Sequence, residues 1–202
     1  MGGKLGGVPK DWRRAMDVYD LLSRKLSPFI AGKSVHDMRP STVACGSLRR
    51  KHEMVGDLDV IVVNNDYDKA AFVEQAFALL GLPDPLTKSK KPRKQTHFIV
   101  TDDDKIEVCA GQDYGLQVDL YFCPHRSLGA FMLFLTGSKE FNVWQRQVAI
   151  RRGFKLTQWA LEGADLTTFD ERAICDALQM DYIEPCKRDA VYRREWEDLL
   201  WS

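Results

Sequence analysis

The sequence predicts an α+β protein: a mixed sheet with flanking helices, followed by a small, mostly helical lobe. Three observations carry this. Up to about residue 125, segments with a helical repeat of apolar residues are interleaved with segments that alternate every second residue. After Pro124 the alternation stops and helical periodicity takes over. The 202 residues are 45% hydrophobic and 29% charged, which suits a globular chain with a core of its own and excludes a disordered or fibrous one. The expected division is an α+β domain over 1–125 and a helical lobe over 126–202.

Taken in order, residues 1–7 are glycine-rich and read as a flexible terminus. Pro9 opens a helical pattern in which Trp12, Met16, Tyr19, Leu22 and Leu26 share a face, and Pro28 limits it. Thr42–Cys45 is a short apolar strand that ends at Gly46-Ser47. Residues 57–63 (DLDVIVV) alternate as a strand. Residues 68–80 form a helix, with Asp68 as its cap and Gly81 as its stop signal. Strands are expected at 97–100, 105–110 and 116–122, the first two joined by the acidic turn Asp102-Asp103-Asp104. Helices follow over 127–135, 138–152 and 169–180, the first two separated by Thr136-Gly137-Ser138.

Lysine plus arginine and aspartate plus glutamate both number 29, so the net charge is zero. Binding of nucleic acid by bulk charge is excluded; a localised basic groove is not. The cysteines are odd in number and none is spaced as CxxC, so they read as reduced thiols rather than a disulfide framework or zinc ribbon. The Cys123/His125 pair reads as a core or loop feature. No segment is apolar and long enough to span a membrane, and no signal peptide is visible. An intracellular protein that does not engage membranes is expected.

The sharpest local feature is Gly46-Ser47, followed by Gly56-Asp57-Leu58-Asp59. Alternate residues of a strand share a face, so Asp57 and Asp59 project together while Leu58, Val60 and Val62 project to the core. Two carboxylates so placed repel each other unless water or a cation intervenes, and oxygen ligands favour Mg²⁺ or Mn²⁺. Asp119 is a third acid on an apolar strand: Leu116, Val118, Leu120 and Phe122 face one side, and Gln117, Asp119 and Tyr121 the other. Were the two strands neighbours, three carboxylates would converge, an arrangement that holds two metals for displacement at phosphorus. Small residues such as Gly46 and Ser47 let backbone N–H groups approach phosphate, and the adjacent Arg49 and Arg50 suit phosphate too. Each feature alone is common in turns and solvated edges; their co-occurrence within 14 residues is not.

These residues resemble a known family. Residues 46–59 (GSLRRKHEMVGDLD) are similar to the nucleotidyltransferase signature of family X DNA polymerases, the polymerase beta relatives. Residues 117–124 (QVDLYFCP) resemble the strand carrying that family's third aspartate. Residues 134–154 (FLTGSKEFNVWQRQVAIRRGF) resemble its thumb, and 182–188 (YIEPCKR) its C-terminal segment. The resemblance runs from about residue 8 to 190 and implies a compact palm-plus-thumb form like that of viral or phage relatives. It implies that Asp57, Asp59 and Asp119 bind two Mg²⁺ ions, with Mn²⁺ able to substitute, and that Asp119 lies nearest the primer 3′-hydroxyl. It implies that Gly46, Ser47, Arg50 and the amide of Gly56 hold the triphosphate of a dNTP, with Lys10 at a position of similar role. Phe134, Leu135 and Gly137 match the segment packed on the nucleotide sugar. Asn142 and Arg146, four apart on one helix, would meet minor-groove acceptors common to every base pair. Phe141, Trp144 and Val148 would anchor that helix.

The sequence departs from the pattern at Gln117 and Tyr121, each in place of an arginine, at Trp159 in place of a tyrosine, and at Phe134-Leu135 in place of a tyrosine-phenylalanine pair. Only 45 residues precede Gly46 and no helix-hairpin-helix motif is present, so no lyase activity is expected. The grip on gapped or nicked duplex DNA would come from Lys88, Lys90, Lys91, Arg93 and Lys94, and from Arg151 and Arg152. The 88–94 run reads first as a solvated loop, then as a DNA contact, and last as a targeting signal. A monomeric, short-gap-filling repair polymerase is expected. Its rivals are a template-independent nucleotidyltransferase acting on RNA, protein or a small molecule, and a non-catalytic module that binds DNA ends. Residues 190–202 match nothing in the family and would cap the thumb or face a partner.

Overall fold

The computed structural model describes residues 9–26, 42–63, 69–82, 96–100, 103, 105–108, 115–166 and 170–200. The basic run Lys88–Lys94, the Asp68 cap, Cys109 and most of the Asp102–Asp104 turn lie outside the described residues. The chain is α+β and divides into two compact units. One comprises Met1–Leu48 and His52–Phe122; the other comprises Arg49–Lys51 and Cys123–Ser202.

The first unit opens with β1 (Lys10–Asp11) and α1 (Trp12–Leu26). The helix begins at Trp12 rather than at Pro9, because Lys10 and Asp11 are drawn into a strand pair and the Asp11 carboxylate accepts the Arg14 N–H at 2.9 Å. Its core face is Ala15, Val18, Leu22 and Leu26, all fully buried; Met16 and Tyr19 flank it, and Trp12 stays 36% exposed with its indole N–H donating to the Leu48 carbonyl. Next come β2 (Thr42–Ala44), the single turn α2 (Gly46–Arg49), β3 (Met54–Val55), β4 (Asp57–Val63), α3 (Lys69–Leu79), β5 (Thr96–Val100), β6 (Ile106–Val108) and β7 (Leu116–Cys123). Gly81, at φ +71°, closes α3 as its sequence position suggests.

The sheet runs β2-β4-β7-β5-β6, with β2/β4, β5/β7 and β5/β6 antiparallel. β4 and β7 are therefore hydrogen-bonded neighbours, although β5 and β6 separate them in sequence. Leu58, Val60 and Val62 of β4 and Leu116, Val118, Leu120 and Phe122 of β7 all enter one core with α1, as the alternation predicts. Burying each such side chain stabilises by roughly 1.5–3 kcal/mol. That core fixes the opposite face of both strands, where the acids stand. β1 pairs with β3, setting Lys10 opposite Val55.

The second unit holds α4 (Leu128–Thr136), α5 (Lys139–Arg151), the hairpin β8 (Lys155–Leu156) and β9 (Leu161–Glu162), α6 (Glu171–Ala177) and α7 (Arg193–Glu197). Gly129 admits no side chain, since a Cβ there would lie 2.4 Å from the Asp170 backbone at the start of α6. Phe141, Trp144 and Val148 are buried and anchor α5 as expected. The C-terminal segment joins this core. Trp196 is 1% exposed, packs edge-on to Phe141 at 5.3 Å, and donates its indole N–H to the Lys187 carbonyl. Trp144 donates to Glu197 at 2.6 Å. Of the two readings of the tail, the structure takes the cap: Trp196 closes the lobe from within.

Candidate active site

In the first unit, exposure falls along the acid face: Asp57 is exposed, Asp59 half-buried and Asp119 3% exposed. Tyr121 follows Asp119 by two residues and shares its face. Its hydroxyl is pushed above the ordinary phenol range, first by burial, then by the charges of Asp59 and Asp119, the hydrogen bond it donates to Asp59, and the charge of Asp57. Gln117, two residues before Asp119, sets its amide nitrogen 3.4 Å from Asp119 Oδ2.

The Gly46-Ser47 corner borders the same acids. Gly46 has φ +60°, where a side chain is strained, and a Cβ there would lie 2.5 Å from Asp59 Oδ2, so any other residue would have to displace that carboxylate. The Cys45 N–H donates to the Asp59 carbonyl and holds the corner against β4. The Ser47 hydroxyl is buried and has no hydrogen-bond partner among the described residues. Gly56 is exposed, with open space where a side chain would be. Lys10 reaches this segment through the β1/β3 pair, opposite a residue two positions before Asp57.

The donor set is carboxylate oxygen only, which fits Mg²⁺ or Mn²⁺ rather than a soft metal. Among the described residues no three acidic, histidine or cysteine side chains close into a preformed cage.

The second unit gathers the other predicted residues around the end of α4. Asn142 donates its amide to the Phe134 carbonyl at 2.7 Å, and the Arg146 guanidinium lies 5.5 Å from the Phe134 ring centre. Gly137 follows α4 at φ +64°, and its peptide bond to Ser138 is cis. Ser138 caps α5: its hydroxyl accepts from the Phe141 N–H and donates to the Arg188 carbonyl at 2.8 Å. Leu135 is half-buried on α4. Arg151 pairs with Glu197 at 3.6 Å, while Arg152 sits half-buried at the end of α5.

Both side chains of the arginine doublet are engaged within the second unit. Arg49 grips Glu171 with both terminal nitrogens, at 2.8 and 2.6 Å, and also donates to the Thr136 hydroxyl. Arg50 donates to Asp189 at 2.9 Å and to the Thr136 carbonyl. Glu171 is completed by Arg188 at 2.8 Å and the Tyr182 hydroxyl at 3.0 Å. Burial pushes the Glu171 carboxyl up, but the hydrogen bonds and charges of Arg49 and Arg188 outweigh it and bring the group down to about 2. Arg49 is therefore a structural tie. Glu171 and Arg188 carry no local motif; Gln117 and Tyr121 were findable from alternation about Asp119.

Residues 131–189 match the family described as DNA polymerase beta thumb. The chain is 40% identical over 87 residues to DNA polymerase IV of Saccharomyces cerevisiae, covering 42% of the chain and 14% of that protein. It is 27% identical over 174 residues to DNA polymerase lambda of Rattus norvegicus, covering 73% and 28%. It is 32% identical over 117 residues to the DNA polymerase/3′-5′ exonuclease PolX of Bacillus subtilis, covering 58% and 18%. The chain is thus similar to these DNA polymerases over part of its length, and it spans under a third of the length of each of them.

Proposed function

We propose that this chain is a DNA-directed DNA polymerase that extends a primer 3′-hydroxyl with dNTPs on gapped or nicked duplex, filling short gaps in repair. The observation that carries this reading is the pairing of β4 with β7, which brings Asp57, Asp59 and Asp119 to one face, in a chain whose second unit matches a polymerase thumb. Asp57, Asp59 and Asp119 would hold two Mg²⁺ ions, with Mn²⁺ able to replace them. Bound there, the ions would neutralise charge developing at the transferred phosphate and lower the pKa of the attacking hydroxyl.

The protein's own contribution is positioning. The primer 3′-oxygen attacks the α-phosphate, the P–O bond to the β-phosphate breaks, and pyrophosphate leaves. Asp119 is the most buried of the acids and is assigned to the 3′-hydroxyl, whose proton it accepts. In the first unit, the backbone at Gly46, the Ser47 hydroxyl, the Gly56 amide and Lys10 are assigned to the triphosphate. The Ser47 hydroxyl, buried and without a partner among the described residues, supports this, because such a group is costly unless a ligand completes it. In the second unit, Arg50 is assigned to the triphosphate, Phe134, Leu135 and Gly137 to the sugar, and Asn142 and Arg146 to the minor-groove edge of the new pair. Lys88, Lys90, Lys91, Arg93, Lys94, Arg151 and Arg152 are assigned to the DNA backbone. The protein acts as an intracellular monomer. No described helix is long and apolar enough to cross a membrane.

The test is single-nucleotide extension of a labelled primer on a one-nucleotide-gapped duplex, with each dNTP and rNTP offered separately in Mg²⁺. Addition that follows the template base is expected. Addition that ignores it would replace this reading with a template-independent transferase. Binding of the duplex without addition would leave a non-catalytic module.

A further inference from the structure

Arg49 and Arg50 both belong to the second unit, and their acidic partners engage them differently. Glu171 takes both terminal nitrogens of Arg49, at 2.8 and 2.6 Å, so the fork of that guanidinium is filled. Asp189 takes only the Nε of Arg50, at 2.9 Å, and the Thr136 carbonyl takes Nη1. These two contacts hold the guanidinium plane at two points. The frame around it is itself cross-tied. Thr136 is fully buried, and Ser138 donates to the Arg188 carbonyl through its N–H at 3.3 Å and its hydroxyl at 2.8 Å. Arg188 is fully buried and donates in turn to the Ile183 carbonyl and to Glu171. Residues 136–138 and 188–189 are thus laced together, and Arg50 spans them. A Cβ on Gly137 would lie 3.6 Å from Arg50 Nη1 and 3.9 Å from Asn142 Nδ2, so both groups stand beside the residue assigned to the nucleotide sugar.

We propose that Asp189 is a positioning residue that aims the Arg50 guanidinium at the phosphates of the incoming nucleotide. The proposal rests on the reading above of Arg50 as a triphosphate ligand. A long side chain gives up rotamer freedom when it grips a ligand; one already held at Nε and Nη1 has given it up on folding. A guanidinium has five N–H donors, and the two contacts to described residues use one at Nε and one at Nη1. The three that remain are all on the terminal nitrogens, the end that forms paired bonds with phosphate oxygens. The carboxylate offsets part of the guanidinium's attraction for phosphate. That opposing effect is small, because the Arg50 and Asp189 side chains are 14% and 28% exposed and solvent screens the pair. Orientation is therefore what Asp189 supplies.

The experiment is titration calorimetry of the complementary dNTP with Mg²⁺ into the full chain bound to a one-nucleotide-gapped duplex. The primer ends in a dideoxynucleotide, so binding occurs without turnover. Asp189→Ala is expected to bind the dNTP about 2–10-fold more weakly, the effect of having to immobilise one side chain on binding. Asp189→Asn keeps an oxygen for Nε and should stay near wild type. In an Arg50→Ala background, Asp189→Ala should change nothing further, because Asp189 acts through Arg50 alone. The pair is partly solvated, so all these variants should fold with melting temperatures within a few degrees of wild type. With an extendable primer, Asp189→Ala should raise KM for the dNTP by the same factor and leave kcat little changed. Wild-type affinity in Asp189→Ala overturns the proposal. So does an equal loss in Asp189→Asn, or a further loss in the Arg50→Ala background. Wild-type affinity in Arg50→Ala would instead remove the reading of Arg50 as a triphosphate ligand, and the role of Asp189 with it.

Discussion

Tyr182 and Tyr121 each act on a carboxylate, and the carboxylates keep different company. In the second unit, Tyr182 donates to Glu171 at 3.0 Å, and Glu171 also receives two guanidinium groups, from Arg49 and Arg188. In the first unit, Tyr121 donates to Asp59 beside Asp57 and Asp119, and the donors on β7 are neutral. The pKa shifts record the difference. Glu171 is brought down to about 2 by its arginines despite its burial, whereas Tyr121 is driven up by burial and surrounding negative charge. One cluster pairs its carboxylate with two guanidinium groups and ties α6 to the Thr136 corner. The other sets acids on neighbouring strands of one sheet. Acidic residues with similar donors thus serve structure in one unit and, on the reading above, chemistry in the other.

The largest expected effect bears on the open cluster. Asp119→Asn should abolish templated incorporation while leaving the melting temperature close to wild type. The substitution keeps the side-chain shape and removes charge from a repulsive group of acids. Full incorporation by this variant would end the assignment of Asp119 as a catalytic acid.

The closed cluster should behave in the opposite way. Glu171→Gln leaves two largely buried guanidinium groups without their carboxylate, and is expected to cost about 3–5 kcal/mol of stability. Urea unfolding followed by tryptophan fluorescence reports on it directly, because the buried Trp144 and Trp196 both belong to this unit. Asp59→Asn, measured in the same way, should change stability by less than about 1 kcal/mol. Equal losses in the two variants would erase the contrast between the clusters.

Acid sharpens the same comparison. The folded-state pKa of Glu171 lies below its ordinary value of 4.5, so its contribution is complete above pH 4.5 and is lost as pH falls towards 2. Across that window the stability gap between wild type and Glu171→Gln should close by about 3 kcal/mol. Urea midpoints at pH 5, 4 and 3 measure it; a gap that stays constant would mean that Glu171 titrates normally.

The contrast also shows what a chain can reveal before it is folded. The acid face was legible because β4 and β7 alternate strictly, and burial of Leu58, Val60, Val118 and Leu120 leaves Asp59 and Asp119 only the other side. That the two strands are neighbours was not legible, since β5 and β6 come between them in sequence and insert on the far side of β7 in the sheet. Arg49 misleads for a related reason. Beside Gly46-Ser47 it reads as a phosphate ligand, yet its partner Glu171 lies 122 residues away, where no local pattern announces it. Strands β1 and β3 are two residues each, too short to show any period, although they set the position of Lys10. The tail carried its signal in composition only: an isolated Trp196 has no periodicity, and its burial comes from packing against Phe141 and Trp144.

The smallest expected effect concerns a buried polar group in the second unit that has no hydrogen-bond partner among the described residues. Gln145 is fully buried on α5, and neither its amide nitrogen nor its oxygen makes a hydrogen bond among the described residues. It lines a small cavity with Leu133, Leu156 and Thr157, between Asn142 and Arg146 on the same helix. An unpaired buried polar group costs roughly 1–3 kcal/mol, and methionine has a similar shape without that cost. Gln145→Met should therefore stabilise by about 1–2 kcal/mol and raise Tm by about 2–8 °C. An unchanged Tm would mean that solvent in the cavity already satisfies the amide. A higher Tm accompanied by weaker templated incorporation would be the more informative result. It would show that the stability lost at Gln145 is retained for activity, on the helix that carries Asn142 and Arg146.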